Sequence, residues 1–498
     1  MKKKTHIISA VCLLAAFSSC SSFLDKMPDD RTVIESPDAV KELLVSAYPQ
    51  GSYIAFCEAM SDNVGDKSDA SSQRDLQRNR QSYFWRDHTA ISQDTHNYFW
   101  VNSYSAIGAA NHALEAMEDM GYQKEFEPSL GEAYITRSYN HFMLANIFAE
   151  HYDPAKNESL LGVPYIIEAE KEVFVDYERE TLAKTYELIE KDLLAGIELI
   201  DNNSYSVRAY HFNSDAAYTY ASRFYLYTAQ WDEVIKYANK VLIGDFEGKI
   251  RKWASEYQGY DYNTLKAQYT KAEETSNLLL ASLMSGYPRN NAFYRYGLTE
   301  EASSKWFSRD TPVAGGNWAY RIFGNAVAKN IPKFMEHFKY SSINATTGYI
   351  YMMFPLFTIE ETLLNRAEAY AMKEDYSNAL ADINLFFKHR IKKYDTDGHV
   401  VTDDEFVNYY KDNEPVLTPF YPLNEKQRAY INGITELRRR EFMAEGMRWF
   451  DVKRFHIQIE RVNFETAAVE DTLTPDDLRR AVQLPESALS YGLEPNPR

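Results

Sequence analysis

The sequence predicts a mostly α-helical protein, a single domain of stacked helical pairs interrupted by one long irregular segment. Three observations carry this. Apolar residues recur at helical spacing in paired stretches at about 96–150, 181–242 and 356–390. Between 244 and 351 that period fades, and tyrosine and tryptophan gather among loop residues. The stretch from Thr435 to Phe455, TELRRREFMAEGMRWFDVKRF, interleaves charges with large rings too densely for a solvated helix.

With 498 residues, 45% hydrophobic and 25% charged, the chain can bury a large core. Its formal charge is −18, and removal of residues 1–19, which hold Lys2, Lys3 and Lys4 and no acid, takes it to −21. Such a field repels phosphate backbones, so nucleic acid is excluded as a partner. No later run approaches the ~20 apolar residues of a membrane helix. Any membrane attachment must therefore be at the front.

The front supplies one. Lys2–Lys4 form a charged region, Ile7–Phe17 an apolar stretch too short to span, and Ser18-Ser19-Cys20 a small-residue cleavage site resembling a bacterial lipobox. The expectation is a lipoprotein-type signal peptide over 1–19, lipidation at Cys20, and an extended polar leader over 20–35. Cys12 leaves with the signal, so Cys20 and Cys57 are the remaining thiols and no disulfide framework is possible. Cys57 reads as a buried small hydrophobe.

The main domain then runs from 36 to 498. Ser36-Pro37 caps a helix reaching about Tyr48. Asp62, Asp66 and Asp69 admit a metal reading, but acidic loops are usually solvated, and neither metal nor cofactor is expected. Tyr98, Trp100, Tyr104, Ile107, Leu114 and Met117 line a helix over 96–120, and Ala133, Tyr134, Arg137, Leu144 and Phe148 its partner over 130–150. Gly162-Val163-Pro164 breaks the pattern. Helices follow at 181–200, 214–229 and 231–242, where Ala216-Ala217, Tyr225-Leu226-Tyr227, Trp231 and Ala238 alternate small and large in a tetratricopeptide-like way. The pair 356–372 and 376–390 repeats that alternation. Such pairs stack because neither helix buries its stripe alone. The span 244–351 is too aromatic for disorder and too long for a plain connection.

In the closing stretch, Glu441 and Glu445 are four apart and would repel on one helix face. Arg438 and Arg448 are spaced to neutralise them, and Asp451 to pair with Arg448 or Arg454. Gly446 suits a turn between two short helices. Arginines in reach depress carboxyl pKa values, which is wrong for a general acid, so these five residues read as structural.

Arg-Arg-Glu (440–441 with Arg439), Glu445-Gly446-x-Arg448-Trp449-Phe450-Asp451 and Lys453-Arg454-Phe455 resemble the C-terminal signature of the SusD/RagB family of nutrient-uptake lipoproteins. Leu484-Pro485-Glu486 through Asn496-Pro497 is similar to that family's ending. Phe23-Leu24-Asp25, Ser61-Asp62-Asn63, Ala110-Asn111 and Leu130-Gly131-Glu132-Ala133 extend the likeness over nearly all the mature chain. The resemblance implies a lipid-anchored protein displayed on the outer membrane, without enzymatic activity. It would capture an oligosaccharide or polysaccharide and deliver it to a SusC-type TonB-dependent transporter. It also implies that the insertion between helical pairs forms the ligand face. Tyr294, Tyr296, Trp306 and Trp318, with Trp85 from an earlier loop, are then the candidate sugar-stacking rings, with Asn290, Asn291, Arg295, Asn317 and Arg321 as polar neighbours.

Two other classes stay open on sequence. Some family members carry peptides. A lipid-anchored glycosidase would need two carboxylates at a working separation, for instance among Asp261, Glu300, Glu301 and Asp310, though no motif points there. There is no His-Glu-x-x-His, no paired-cysteine motif, no phosphate loop and no Gly-x-Ser-x-Gly.

Overall fold

The computed structural model describes residues 34–68, 76–171, 177–413 and 415–498. The signal peptide, Cys20, most of the leader and Asp69 lie outside the described residues.

Helix α1 (Pro37–Leu44) starts where Ser36 accepts a hydrogen bond from the Ala39 amide, with Pro37 in the first turn. Helices α2 (Ile54–Met60) and α3 (Gln77–Tyr83) follow. Then come α4 (His96–Asp119) and α5 (Glu127–Phe148), the first long pair, with α6 (Leu182–Leu199) packed on α5. Along that contact a Cβ on Gly196 would lie 2.3 Å from Ile135, and one on Gly131 only 2.9 Å from the Ile200 amide. The two backbones approach as closely as glycine permits.

Helices α7 (Ser214–Tyr227) and α8 (Trp231–Val241) form the next pair, α12 (Ile359–Met372) and α13 (Tyr376–Lys388) another. Helix α12 packs on α7, α8 and α13, and also on α15 (Glu425–Glu441). Sequence placed the start of α12 at Leu356, whereas Leu356–Thr358 end a strand and the helix begins after the Thr358 cap.

The irregular span is more ordered than its sequence implies. It holds short helices α9 (Tyr262–Tyr269), α10 (Tyr287–Asn290) and α11 (Glu300–Ser304), and a three-stranded antiparallel sheet. Strand β5 (Gly348–Thr358) is central, between β2 (Asn277–Leu283) and β4 (Glu336–Tyr340). Asn277 pairs with Thr358 and Leu283 with Met352, while Glu336 pairs with Met352 and Tyr340 with Gly348. Strand β2 is nearly all buried, which hides the alternation that would announce it. Two small ribbons complete the molecule: β1 (Gly65–Asp66) with β3 (Tyr296–Gly297), and β6 (Ile459–Val462) with β7 (Val469–Leu473). Helices α14 (Asp403–Tyr410), α16 (Arg448–Arg454) and α17 (Glu486–Leu489) finish the set.

The main apolar core runs from Tyr48 to Ala488 and includes Cys57, a buried free thiol, while a smaller cluster packs Val40 and Leu44 of α1 against Ala113 and Met117 of α4, and a third joins Tyr83, Phe84 and Tyr296.

Candidate functional site

The C-terminal signature is built into this core. Helix α15 ends at Glu441, and a turn with Ala444 (φ 70°) and Gly446 (φ 75°) leads into α16. A Cβ on Gly446 would sit 3.1 Å from the Ile54 Cα, so residue 446 must be small as well as left-handed. Because the helix stops at Glu441, Glu445 is not on its face, and the expected local pairings are corrected. Glu441 takes two hydrogen bonds from Arg390 and one from the Tyr320 hydroxyl. Glu445 is bound by Lys333 at 2.5 Å and by Tyr269 at 2.6 Å. Arg448 reaches back to Asp62 at 2.7 Å, and Arg438 hydrogen-bonds Asn365 and faces Asp451 at 3.5 Å. The spacing-based pair of Asp451 with Arg454 is present at 2.9 Å, and Arg454 also holds Glu368.

The carboxyl shifts divide accordingly. Burial raises both glutamates, but Arg390 more than offsets it at Glu441, which ends below the usual range. At Glu445 burial prevails over Lys333 and the pKa is raised, contrary to a uniform depression by arginine. Glu58 is likewise raised by burial while accepting the Ala444 and Gly446 amides at 3.0 Å.

The aromatic candidates meet this network. Trp306 lies against two guanidiniums, that of Arg439 3.9 Å from its ring centroid and that of Arg440 5.1 Å away, and its carbonyl accepts from Arg440. Trp318 also lies under Arg440 and donates its indole N–H to the Asp310 carbonyl. Trp85, at φ 52°, donates to the Met60 carbonyl and covers Arg461. Tyr296 stacks on Tyr83 with centroids 4.2 Å apart, and Tyr294 packs in the core against Tyr287. All five rings are 2–5% exposed. The expectation that their faces stand open to a sugar is corrected: they are spent on buried arginines and on other buried rings. Among the proposed polar neighbours, Arg295 pairs with Asp66, Arg321 lies over Phe323, Asn290 is buried and Asn317 is exposed.

The irregular span does wall an open cleft, in two lobes of ≈ 900 and ≈ 1020 Å³ that share Val64, Gly65, Thr299, Glu301 and Glu460. One side is α11, started by the Thr299 side chain capping the Ala302 amide, with the loop at Ala326-Val327 beside it. The other side is the β6–β7 ribbon, carrying Asn463 and the ring of Phe464, which is 64% exposed. Trp306 edges the smaller lobe with Arg439 and Asp62. Lys67 ties two loops together at the larger lobe, donating to the carbonyls of Ala292 (2.9 Å) and Val327 (3.2 Å), and burial lowers its pKa to about 8. Glu300 pairs with Lys329 at 2.7 Å, and Asp261 caps α9. The cleft thus offers one open ring amid hydroxyls, amides and charges of both signs, of which Asp62, Asp66, Glu300 and Arg439 are paired, a lining suited to a polar ligand with a flat apolar face.

Sequence reasoning missed Phe464, which lies beyond the aromatic span. It also missed Tyr340 and Tyr349 on the β4–β5 hairpin, 62% and 53% exposed. The alternation in Glu336–Tyr340 is the signal that could have found that hairpin. Among the described residues no group of three His, Cys, Asp or Glu side chains could hold a metal ion. Asp62 is instead held far below the usual carboxyl range by Arg439 and Arg448, against the pull of burial. No described helix is long and apolar enough to cross a membrane.

Residues 201–486 match the SusD family, and residues 22–226 match a family described as "Starch-binding associating with outer membrane". No curated protein matches the chain. Solved structures share its fold. A SusD superfamily protein from Bacteroides thetaiotaomicron is 18% identical with a TM-score of 0.65, over 93% of this chain and 99% of the other. One from Bacteroides vulgatus is 19% identical with a TM-score of 0.65, over 94% and 99%. A SusD-like carbohydrate binding protein from Bacteroides vulgatus is 14% identical with a TM-score of 0.61, over 91% and 96%.

Proposed function

Because the chain belongs to the SusD family, whose members are non-catalytic binding proteins, we propose that it captures an oligosaccharide at the outer membrane and passes it to a SusC-type TonB-dependent transporter. The observation that carries the ligand class is the cleft beside α11. It has the size of a small-molecule site, an exposed ring for stacking, and a hydrogen-bonding rim that includes Thr299, Ser304 and Asn463. The family matches, one of them to a starch-binding group, support the same class. Attachment is through Cys20, whose acyl chains at about 0.8 kcal/mol per buried CH₂ would hold the protein durably to the membrane.

Isothermal titration of the mature protein against oligosaccharide and oligopeptide panels tests the reading. Saturable binding of an oligosaccharide that Phe464→Ala weakens several-fold supports it. Binding of peptides alone moves the ligand class, for which the edge strand β4 offers a strand-addition surface. Cys20→Ala should release the protein from the membrane fraction, and a mutant that still sediments after a high-salt wash removes the anchor assignment.

A further inference from the structure

A groove of ≈ 740 Å³ lies between α4, α5 and α6 and shares no lining residue with the cleft. Its wall is the segment following Pro164, pinned by all three helices. Asn111 of α4 donates to the carbonyls of Ile166 and Glu168, both at 3.1 Å. Arg137 of α5 donates to the Ile167 carbonyl, and Tyr165 donates to Asp192 of α6 at 2.7 Å. A groove held this way is formed before any ligand arrives.

Its charges do not balance. Asp192 is paired with Arg137 at 2.6 Å and Glu115 with Lys171 at 2.5 Å. The rest of the charged lining is Glu118, Glu168 and Glu170 against Lys191, and none of the three glutamates makes an ion pair among the described residues. Lys171 already stands in the field of Asp119 and Glu168 as well as Glu115.

The unpaired carboxylates are exposed and set beside rings. Glu118 faces the hydroxyl of Tyr122, which is 48% exposed, and Glu170 accepts from the Tyr177 hydroxyl at 2.6 Å. The floor shows what a ring and a carboxylate hold together. The guanidinium of Arg137 lies 5.4 Å over the Tyr134 ring while giving Asp192 two hydrogen bonds, at 2.6 and 2.8 Å. A guanidinium fits such a set better than an ammonium, because it is planar, stacks on rings and meets a carboxylate with two N–H groups. The groove presents two such sets to solvent, one at the end of α4 and one on the segment after Ile167. Two sets call for two guanidiniums carried on one chain.

We propose that this groove docks an arginine-bearing, extended segment of a partner protein, recognised through its side chains. No residue is shared with the cleft, so either assignment can fail alone. Fluorescence anisotropy of labelled acetyl-Gly-Arg-Gly-Arg-Gly-amide with the full mature chain is the test. A second peptide carries citrulline for arginine, which keeps the shape and removes the charge. The arginine peptide should bind saturably, and the citrulline peptide about tenfold or more weakly. Glu118→Gln with Glu168→Gln should weaken binding about tenfold, and Tyr122→Ala several-fold, with Tyr122→Phe close to wild type. The chain is strongly acidic and attracts any polycation, so Glu42→Gln with Glu425→Gln removes the same charge from exposed positions elsewhere and should change little. The substituted side chains are exposed, and all variants should melt as wild type does. Absence of saturable binding, or equal weakening by the two charge-removing pairs, overturns the site. Free arginine competing as well as the unlabelled peptide would make the groove a small-molecule pocket and overturn the partner assignment.

Discussion

Arg390 grips Glu441 with two parallel hydrogen bonds, Nε to Oε2 at 2.6 Å and Nη2 to Oε1 at 2.9 Å, with both side chains no more than 2% exposed. A buried pair of this geometry is costly to break from one side, because the surviving charge keeps its desolvation penalty. Glu441→Gln should therefore lower unfolding free energy by about 3–5 kcal/mol in guanidinium titrations. Glu445→Gln should cost less, since burial already raises that carboxyl and Lys333 only partly compensates. Equal losses at the two positions would contradict the assigned partners.

Acid should weaken the fold well before the carboxylates titrate. Burial lowers His88 and His141 to about 3, and His96 and His151 well below their ordinary value. The unfolded chain binds protons at these rings below pH 6.5 that the native state refuses, so stability falls as pH drops from 6.5 toward 3. Each ring contributes up to about 2 kcal/mol between pH 6.5 and 5. Glu58 and Glu445, with raised values, act in the opposite sense, gaining stability as pH falls toward the ordinary glutamate range. Burial also lowers His389, to about 4, and His456, which adds to the loss, and raises Asp94, Glu150, Asp215 and Asp382, which adds to the gain at lower pH, so the fall should be clearest between pH 7.5 and 6, around the rings' ordinary value, read from denaturant midpoints. A flat profile would show that the histidines are not buried neutral.

Trp306 and Phe464 should separate stability from binding. Trp306→Ala removes the ring that two buried guanidiniums pack against and should cost about 3–5 kcal/mol. Phe464→Ala lies on an exposed ribbon and should stay within about 0.5 kcal/mol of wild type while weakening ligand binding. Thermal melts beside titration calorimetry check both.

Lys67 holds the cleft wall by two carbonyls, so Lys67→Met should loosen the loop at Val327 and weaken ligand affinity several-fold. Hydrogen exchange at residues 325–329 should rise in the variant. Unchanged exchange and affinity would make the lysine incidental.

What the sequence disclosed follows from what each signal measures. The long helices were legible because their apolar stripes recur at helical spacing, and α4 appears at His96–Asp119 against an expected 96–120. Strand β2 was not, since burial on both faces erases period two. The charges of 438–451 are buried and paired, but neighbour spacing could not find Arg390, Lys333 or Asp62, which tertiary folding delivers from distant segments. The five rings misled for a related reason. Tyrosine and tryptophan among Gly, Asn and Arg suggest an open sugar platform, yet here the arginines that cover Trp306, Trp318 and Trp85 come from the closing segment.

Those distant partners also set an order of events. Arg448 meets Asp62 across 386 residues, and Arg461 meets the Ala59 carbonyl across 402. Until residues 439–454 exist, Asp62, Glu58, Lys333, Glu368 and Arg390 lack partners they meet in the core, and the early segments cannot close around them without stranding charge. Contacts of such separation form slowly, because loop closure is unfavourable before any contact rewards it. A chain still being made is therefore kept loose by its own unpaired ions, and its final segment acts as the keystone that lets the arch stand.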